Sequence, residues 1–202
     1  MLKNRLKLIC AFSLVLTAVL YTALFYVGRL PAAYTAFTEN IGRTEVSRQL
    51  FEAYNVMDNT FHFQLPDSWS VYEASFAGEE ILYHLNFISK DKKIHGFVQV
   101  WKLSEPLKQF IEKSKESAVG VIDFKNFDIK EITVDNKNGY LLDYSRANQK
   151  GEYIRAYEAF IKGFSNKVYR LSFFVPEKEW RDYYRILFDR IIHSVRISSK
   201  HI

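Results

Sequence analysis

Two histidines stand where a metal site would be easiest to build. His84 and His95 lie in neighbouring alternating segments separated by the short polar turn Lys90–Lys93. If that turn is symmetric, Ile88 faces His95, and the two imidazoles share a sheet face roughly 13 Å apart along the strands. This separation is too long for one metal ion, and none of the five histidines forms a zinc-type i, i+4 pair. We therefore predict no metal and no cofactor, with both histidines on a partly exposed strand face.

Two carboxylates, Asp143 and Glu158, fall inside predicted strands and lie near arginines in the sequence. A catalytic acid–base pair needs both groups in one cleft, which strand spacing alone does not predict. We expect each carboxylate to pair with Arg155 or Arg170. The chain has no Gly-x-Ser-x-Gly motif, no Gly-rich phosphate loop and no cysteine except Cys10. We predict no catalytic residue and a protein that is not an enzyme.

Four tyrosines form the remaining candidate site. Tyr140, Tyr144, Tyr153 and Tyr157 fall at even spacing within two successive predicted strands. Aromatic rings with a hydroxyl tip suit both protein interfaces and apolar ligands, so the four residues are a candidate partner surface. Packing beneath a helix is the alternative, and it is the more common place for such residues.

The hydrophobic period predicts the elements that carry these residues. A period of two predicts strands over 61–65, 71–76, 81–88, 94–103, 127–134, 140–144, 153–161 and 168–175. A helical period predicts one helix from Ser104 to about Ala118 and a second that begins at Pro176 and contains Trp180 and Val195. The turn Asp135–Gly139, closed by Asn-Gly, favours a tight hairpin.

Hairpin-length connections indicate antiparallel neighbours, and the order strands, helix, strands, helix indicates an α+β fold. We predict an antiparallel β-sheet flanked by helices, an α/β/α sandwich. The nearly continuous apolar segment Tyr169–Val175 predicts a strand covered on both faces.

Several segments resemble the PsbP-like family. They are Phe61–Trp69 with its Leu-Pro-x-x-Trp end, the hairpin strand Gly139–Tyr144, the strand Tyr169–Phe173 and the helix end Ile192–Val195. The resemblance covers roughly Asn59 to Ile197. It implies a central antiparallel sheet flanked by helices and, for bacterial members, a mostly unassigned function. Photosynthetic members help to retain manganese, calcium and chloride, but no residue match carries that role to this chain.

The run Leu8–Val27 is twenty residues without a charge, about 30 Å as a helix and enough to cross a bilayer. Lys3, Arg5 and Lys7 precede it, and only Arg29 follows closely, which predicts a cytoplasmic N-terminus. A cleaved signal peptide is the alternative. The run is longer than a signal core, and Pro31-Ala32-Ala33 has a proline where cleavage needs a small residue. Cys10 is interpreted as a lipid-facing residue, so the outer domain folds without a disulfide.

The predicted anchor also accounts for the charge. Residues 1–48 hold six of the 28 Lys and Arg but two of the 23 Asp and Glu, so the rest of the chain is nearly neutral. This balance removes the main reason to expect a nucleic-acid partner.

We divide the chain into a cytoplasmic basic region (1–7), a transmembrane anchor (8–27), a stalk with a juxtamembrane helix (28–58) and an extracytoplasmic domain (59–202). An apolar stripe through Val46, Leu50 and Tyr54 predicts the stalk helix.

These predictions favour one function and leave an alternative open. We expect a single-pass cell-membrane protein whose outer domain is a non-enzymatic binding or assembly module, with another envelope protein as partner. A tethered carrier of a small ligand, lipid or metal ion is the alternative. The sequence does not name the partner.

Overall fold

The computed structural model describes residues 35–36, 38–76, 80–118 and 123–199. The predicted cytoplasmic region 1–7 and anchor 8–27 lie outside these residues. Among the residues that are described, no helix combines the length and the apolar character needed to cross a bilayer.

Seven strands form one antiparallel sheet in the order β3-β4-β5-β9-β8-β7-β6. They are β3 (Ser70–Glu73), β4 (Ile81–Ile88), β5 (His95–Lys102), β6 (Phe124–Val134), β7 (Lys137–Ala147), β8 (Tyr153–Lys162) and β9 (Lys167–Pro176). β9 is central and mostly buried, as its apolar sequence predicts. It also joins the two halves of the chain, because it pairs with β5 on one side and β8 on the other.

A second sheet covers part of the first. It contains β1 (Phe51–Val56), β2 (Phe61–Pro66) and β10 (Arg196–Ile197), with β2 in the middle. The alternation that predicts β2 is confirmed, since Phe61, Phe63 and Leu65 are buried. The prediction that β2 neighbours the next hairpin is wrong. Its apolar side chains belong to a second layer that packs onto the large sheet, and short connections cannot distinguish the two arrangements.

The two faces of the large sheet carry separate apolar cores. On one face, which we call the α3 face, helix α3 (Tyr183–His193) and the small sheet bury a large cluster that includes Phe173 and Phe188, whose rings stack at 4.3 Å. On the other, the α2 face, helix α2 (Leu107–Ala118) buries a smaller cluster. Its members are Leu103, Leu107, Ile111, Leu142, Phe160 and Val168. Helices flanking an antiparallel sheet are therefore confirmed, with the small sheet as an unpredicted addition.

The β6–β7 turn differs from the predicted one. Asp135 and Asn136 form a two-residue turn, both with positive φ, and Val134 pairs with Lys137. Asp and Asn tolerate this conformation because their short side chains bond to nearby backbone. Gly139, predicted to close the turn, lies inside β7. A Cβ there would stand 2.3 Å from the Phe160 carbonyl oxygen, so the position requires glycine for close strand packing.

The predicted stalk is partly folded into the domain. A helix that we label α1 covers residues 38–48, and residues 51–56 form β1, so the predicted helical stripe through Tyr54 is wrong. A spacing of four residues cannot distinguish helix from strand when a helix ends inside it. Val46 is buried in the main core, whereas Leu50 is 73% exposed.

Gly42 sets how closely α1 approaches α3. A Cβ at Gly42 would lie 2.8 Å from Ile186 Cδ1 and 2.9 Å from Tyr183 Cβ. We predict that Gly42→Val separates α1 from α3 at a cost on the order of 1–3 kcal/mol while the sheets stay folded. Trypsin should then cleave faster at Arg43 and Arg48. Ser47→Val, at an exposed position of the same helix, is the matched control. Equal cleavage of the two variants would contradict the prediction.

Candidate functional site

The α2 face has a buried polar network at the boundary of the helix-covered region. Glu158 of β8 is 1% exposed and accepts hydrogen bonds from Tyr144 Oη at 2.5 Å and Ser172 Oγ at 2.5 Å. Arg170 of β9 donates Nε and Nη2 to the same carboxylate, at 2.9 and 2.5 Å. Antiparallel pairing of β8 with β9 places Glu158 opposite Ser172, and pairing with β7 places Tyr144 diagonally beside it.

This network is held in one charge state. Burial alone raises the pKa of the Glu158 carboxyl, but the Arg170 charge and the hydrogen bonds outweigh it and lower the pKa below its ordinary 4.5. Burial, together with the Glu158 charge, raises the pKa of the Tyr144 hydroxyl far above its ordinary value. At neutral pH Glu158 is therefore ionised and Tyr144 is a neutral donor.

A row of rings crosses the same face away from α2. The ring of His84 lies 4.8 Å from Phe76 and 5.3 Å from Phe97, and Phe174 lies 5.8 Å from Phe97 and 5.6 Å from His95. The Arg170 guanidinium stands 4.9 Å from the Phe97 ring centre and 5.0 Å from that of Phe160. Such cation–π placement fixes the guanidinium beside the rings.

A groove lies on the same sheet face. We call it the α2-face groove, and it has a volume of about 450 Å³, with Asn86, Phe97, Arg146, Ile154, Arg170 and Phe174 among its walls. A smaller cavity of about 170 Å³ beneath α2 shares Tyr144, Arg146 and Arg170 with it. The groove falls in the range of small-molecule sites, which are mostly apolar with a few convergent polar groups.

Comparison with known proteins identifies the family. The PsbP family profile matches residues 49–197, nearly the whole described domain. The chain belongs to the PsbP family. The solution structure of cyanobacterial PsbP (CyanoP) from Synechocystis is similar at a TM-score of 0.56, with 14% identity over 73% of this chain and 92% of that one.

Two further solved structures are similar at lower TM-scores. A protein of unknown function from Pseudomonas aeruginosa matches at a TM-score of 0.47, with 12% identity over 75% of this chain and 99% of that one. LpqN, involved in cell envelope biogenesis of Mycobacterium tuberculosis, matches at 0.48, with 12% identity over 75% and 92%. No curated protein matches the sequence.

The four predicted site tyrosines of this PsbP-family domain are divided between the two faces. Tyr144 pairs with Ala156, and Tyr157 with Asp143, so Tyr140 and Tyr144 point to the α2 face while Tyr153 and Tyr157 point to the α3 face. Tyr157 is 4% exposed and donates to Asp189 of α3 at 2.7 Å. The four residues therefore do not form one surface. The loop between β7 and β8 determines which residues of the two strands pair, and this register puts the tyrosines of β7 and those of β8 on opposite faces.

The predicted ion pairs are confirmed. Glu158 pairs with Arg170, and Asp143 takes a bidentate bond from Arg155 at 2.8 Å plus one from Arg185 at 2.9 Å. Burial raises the pKa of the Asp143 carboxyl, but these arginines outweigh it and lower the pKa.

The histidines are only partly as predicted. Ile88 faces His95 in the β4–β5 register, and His84 and His95 share the α2 face, as predicted. His84 is 6% exposed, however, so the prediction of a partly exposed strand face is wrong for it. Its Nδ1 has no hydrogen-bond partner among the described residues. The rings of Phe76 and Phe97 cover it. No group of three metal-ligating side chains occurs in the described part of the chain.

Sequence analysis missed Arg146, which is the groove residue of greatest chemical interest. It makes no ion pair with any residue that the structure describes, although it is only partly exposed. Strand alternation places Arg146 on the same face as Tyr144. This spacing of two residues is the sequence signal that identifies Arg146 as a candidate site residue. That Arg146 lines a groove depends on the pairing of β4, β5, β8 and β9 beside it, which no local sequence pattern specifies.

Proposed function

We propose that this chain is a membrane-anchored, extracytoplasmic, non-enzymatic binding domain whose ligand occupies the α2-face groove. The observation that carries the proposal is the groove itself, a pocket-sized and partly aromatic concavity beside two arginines. No α2 residue is among the described residues that line the groove.

The charges around the groove favour binding over catalysis. Glu158 already accepts hydrogen bonds from Tyr144, Arg170 and Ser172, and its lowered pKa makes it a weak base. A general base works best with a pKa near the operating pH and a free lone pair facing the substrate. Because these side chains bond to one another, they keep the groove wall rigid, and a rigid wall favours ligand recognition.

Anchoring is proposed from the sequence. Leu8–Val27 has the length and apolar character of a membrane-spanning helix, and its flanking charges favour a cytoplasmic N-terminus. Close packing of α1 on α3 around Gly42 holds the helix that follows this run in the sequence against the domain. Protease added outside intact cells should degrade the domain, and the mature chain should begin at Met1 or Leu2. A new N-terminus near Tyr34 would refute the retained anchor.

A role in assembly with another envelope protein has less support. It was based on the four tyrosines as one patch, and they lie on opposite sheet faces. The groove is a better match to the alternative of a tethered carrier of a small ligand.

Ligand binding is tested by thermal melting of the full chain against metals, lipids, small acids and small amines. A ligand that binds the folded state raises the melting temperature by mass action. We expect Ile154→Trp, which fills the groove, to abolish the shift. Ile129→Trp, on the exposed edge strand β6 and away from the groove, should retain it. No shift with any compound, or equal shifts in both variants, would refute the groove as the binding site.

A further inference from the structure

We infer that the α2-face groove binds an organic acid, a carboxylate or phosphate group attached to an aromatic or aliphatic body. The inference rests on the proposed function and names the ligand class of the same groove. It depends on three properties of the groove as its described residues form it: guanidinium groups with unused donors, an apolar floor and walls without acidic side chains.

Two guanidinium groups have donors to spare. Arg170 uses Nε and Nη2 for Glu158, and its Nη1 donates to no described residue. Arg146, in the wall of both the groove and the cavity beneath α2, has no ionic partner within the described chain. Guanidinium groups recognise carboxylates and phosphates through paired, charge-assisted hydrogen bonds.

The net charge of the site is positive. Glu158 neutralises Arg170, which leaves the charge of Arg146 unbalanced, and none of the described residues that line the groove is acidic. An anion therefore gains attraction without having to displace a carboxylate. A cation would meet Arg146 with no compensating charge.

The floor of the groove is apolar and suits the body of the ligand. Phe97, Phe174, Ile88 and Ile154 line it, and Tyr72 at its rim is 61% exposed. Partly exposed rings and aliphatic side chains gain about 25 cal/mol for each Å² that a ligand removes from water. A small inorganic anion would leave this surface wet, so the structure favours an acid with an apolar body.

Two neutral polar side chains of the groove can orient a bound ligand through hydrogen bonds. Asn86 lies in the groove wall on β4, and His95 lies beside Phe174 on β5. Burial lowers the pKa of the His95 imidazole, so the ring is neutral at physiological pH. It therefore adds no positive charge to the groove. Both side chains can donate a hydrogen bond to an acid or accept one from a hydroxyl.

The test uses three probes with the same body: 4-phenylbutyrate, 4-phenylbutanol and 4-phenylbutylammonium. The full chain is reconstituted in phosphatidylcholine nanodiscs, and dissociation constants are measured by calorimetry. We expect the acid to bind most tightly and the ammonium least. Arg146→Gln should weaken the acid roughly 10-fold or more, because a charge-assisted bond is lost, and leave the alcohol unchanged. Arg181→Gln removes the same charge at an exposed position outside the groove and is the matched control.

A second variant keeps the test decisive if Arg146→Gln folds poorly. Asn86→Asp is nearly isosteric and places an acid in the wall, so it should weaken phenylbutyrate and strengthen phenylbutylammonium. Equal binding of acid and ammonium, or an Arg146→Gln effect within twofold of Arg181→Gln, would overturn the inference. If phenylbutyrate fails but another compound binds in an Ile154-dependent way, the acid class is wrong and the binding function stands. If nothing binds, both fail.

The lipid composition of the nanodiscs distinguishes a membrane lipid from a soluble acid as the natural ligand. Phosphatidylglycerol nanodiscs should compete with phenylbutyrate, in an Arg146-dependent way, if the natural ligand is an anionic membrane lipid. Unchanged phenylbutyrate affinity would support a soluble acid.

Discussion

Replacing Glu158 with glutamine is expected to lower the free energy of unfolding by about 3 kcal/mol, because it leaves a mostly buried arginine charge without its partner. The Glu158 side chain is 2% exposed and that of Arg170 is 21% exposed. The hydroxyls of Tyr144 and Ser172 would also lose an ionised acceptor. Urea unfolding of the two proteins measures the difference.

Glu152→Gln is the control for that experiment. Glu152 meets Lys178 at 3.8 Å, with side chains 61% and 75% exposed, and a solvent-exposed pair is worth about 0–1 kcal/mol. Similar losses in Glu158→Gln and Glu152→Gln would mean that the buried network does not support the fold.

Glu158 and the separate Asp143–arginine cluster on the opposite sheet face predict the direction of acid sensitivity. The pKa values of Glu158 and Asp143 are lower in the folded protein than their ordinary 4.5 and 3.8. Each carboxyl therefore contributes stability that is present above its ordinary pKa and is lost as the pH falls through its lowered folded value. Stability should stay level above about pH 5 and fall below it. Glu158→Gln should show a shallower fall, and an identical fall would contradict the assignment.

Gly96→Ala is expected to cost about 3 kcal/mol or more, or to prevent folding altogether, because an added methyl group has no room. A Cβ at Gly96 would stand 1.9 Å from the Ser172 carbonyl oxygen and 2.6 Å from Phe87 Cζ. Gly96 pairs with Phe173 in the contact that joins the two halves of the large sheet, so relief of the clash must separate β5 from β9.

Gly151→Asn is the matched glycine control. Gly151 has φ of 76° with no atom within 4 Å of an added Cβ, and asparagine tolerates this backbone region. We expect a loss of about 1 kcal/mol from the backbone preference alone. Equal unfolding midpoints in urea for the two glycine variants would show that strand packing at Gly96 is looser than the distances indicate.

Much of the local structure follows from sequence because its causes are local. Strand β4 and its turn predict the facing of Ile88 and His95, since hairpin register depends on a few turn residues. Helix α2 follows from the spacing of Leu107 and Ile111, both buried as expected. The carboxylate–arginine pairs also follow, because alternating strands bring opposite charges to one face and a buried charge needs a partner.

Tertiary structure alone decides where these elements meet. The β5–β9 pairing joins segments far apart in the chain, and no local pattern specifies it. The pairing register of β7 with β8 places Tyr144 and Tyr157 on opposite faces, although the side chains of each strand alternate as predicted. The division of apolar strands between two sheets, and the strand order that places Arg146 in one groove with residues of β4 and β5, are likewise outcomes of packing. The sequence by itself determined most of the elements and their buried faces, but not β1 or β10, and it contains the apolar run at the N-terminus. Only the packed fold opened a groove beside two arginines, because a concave site forms where distant elements leave a face uncovered.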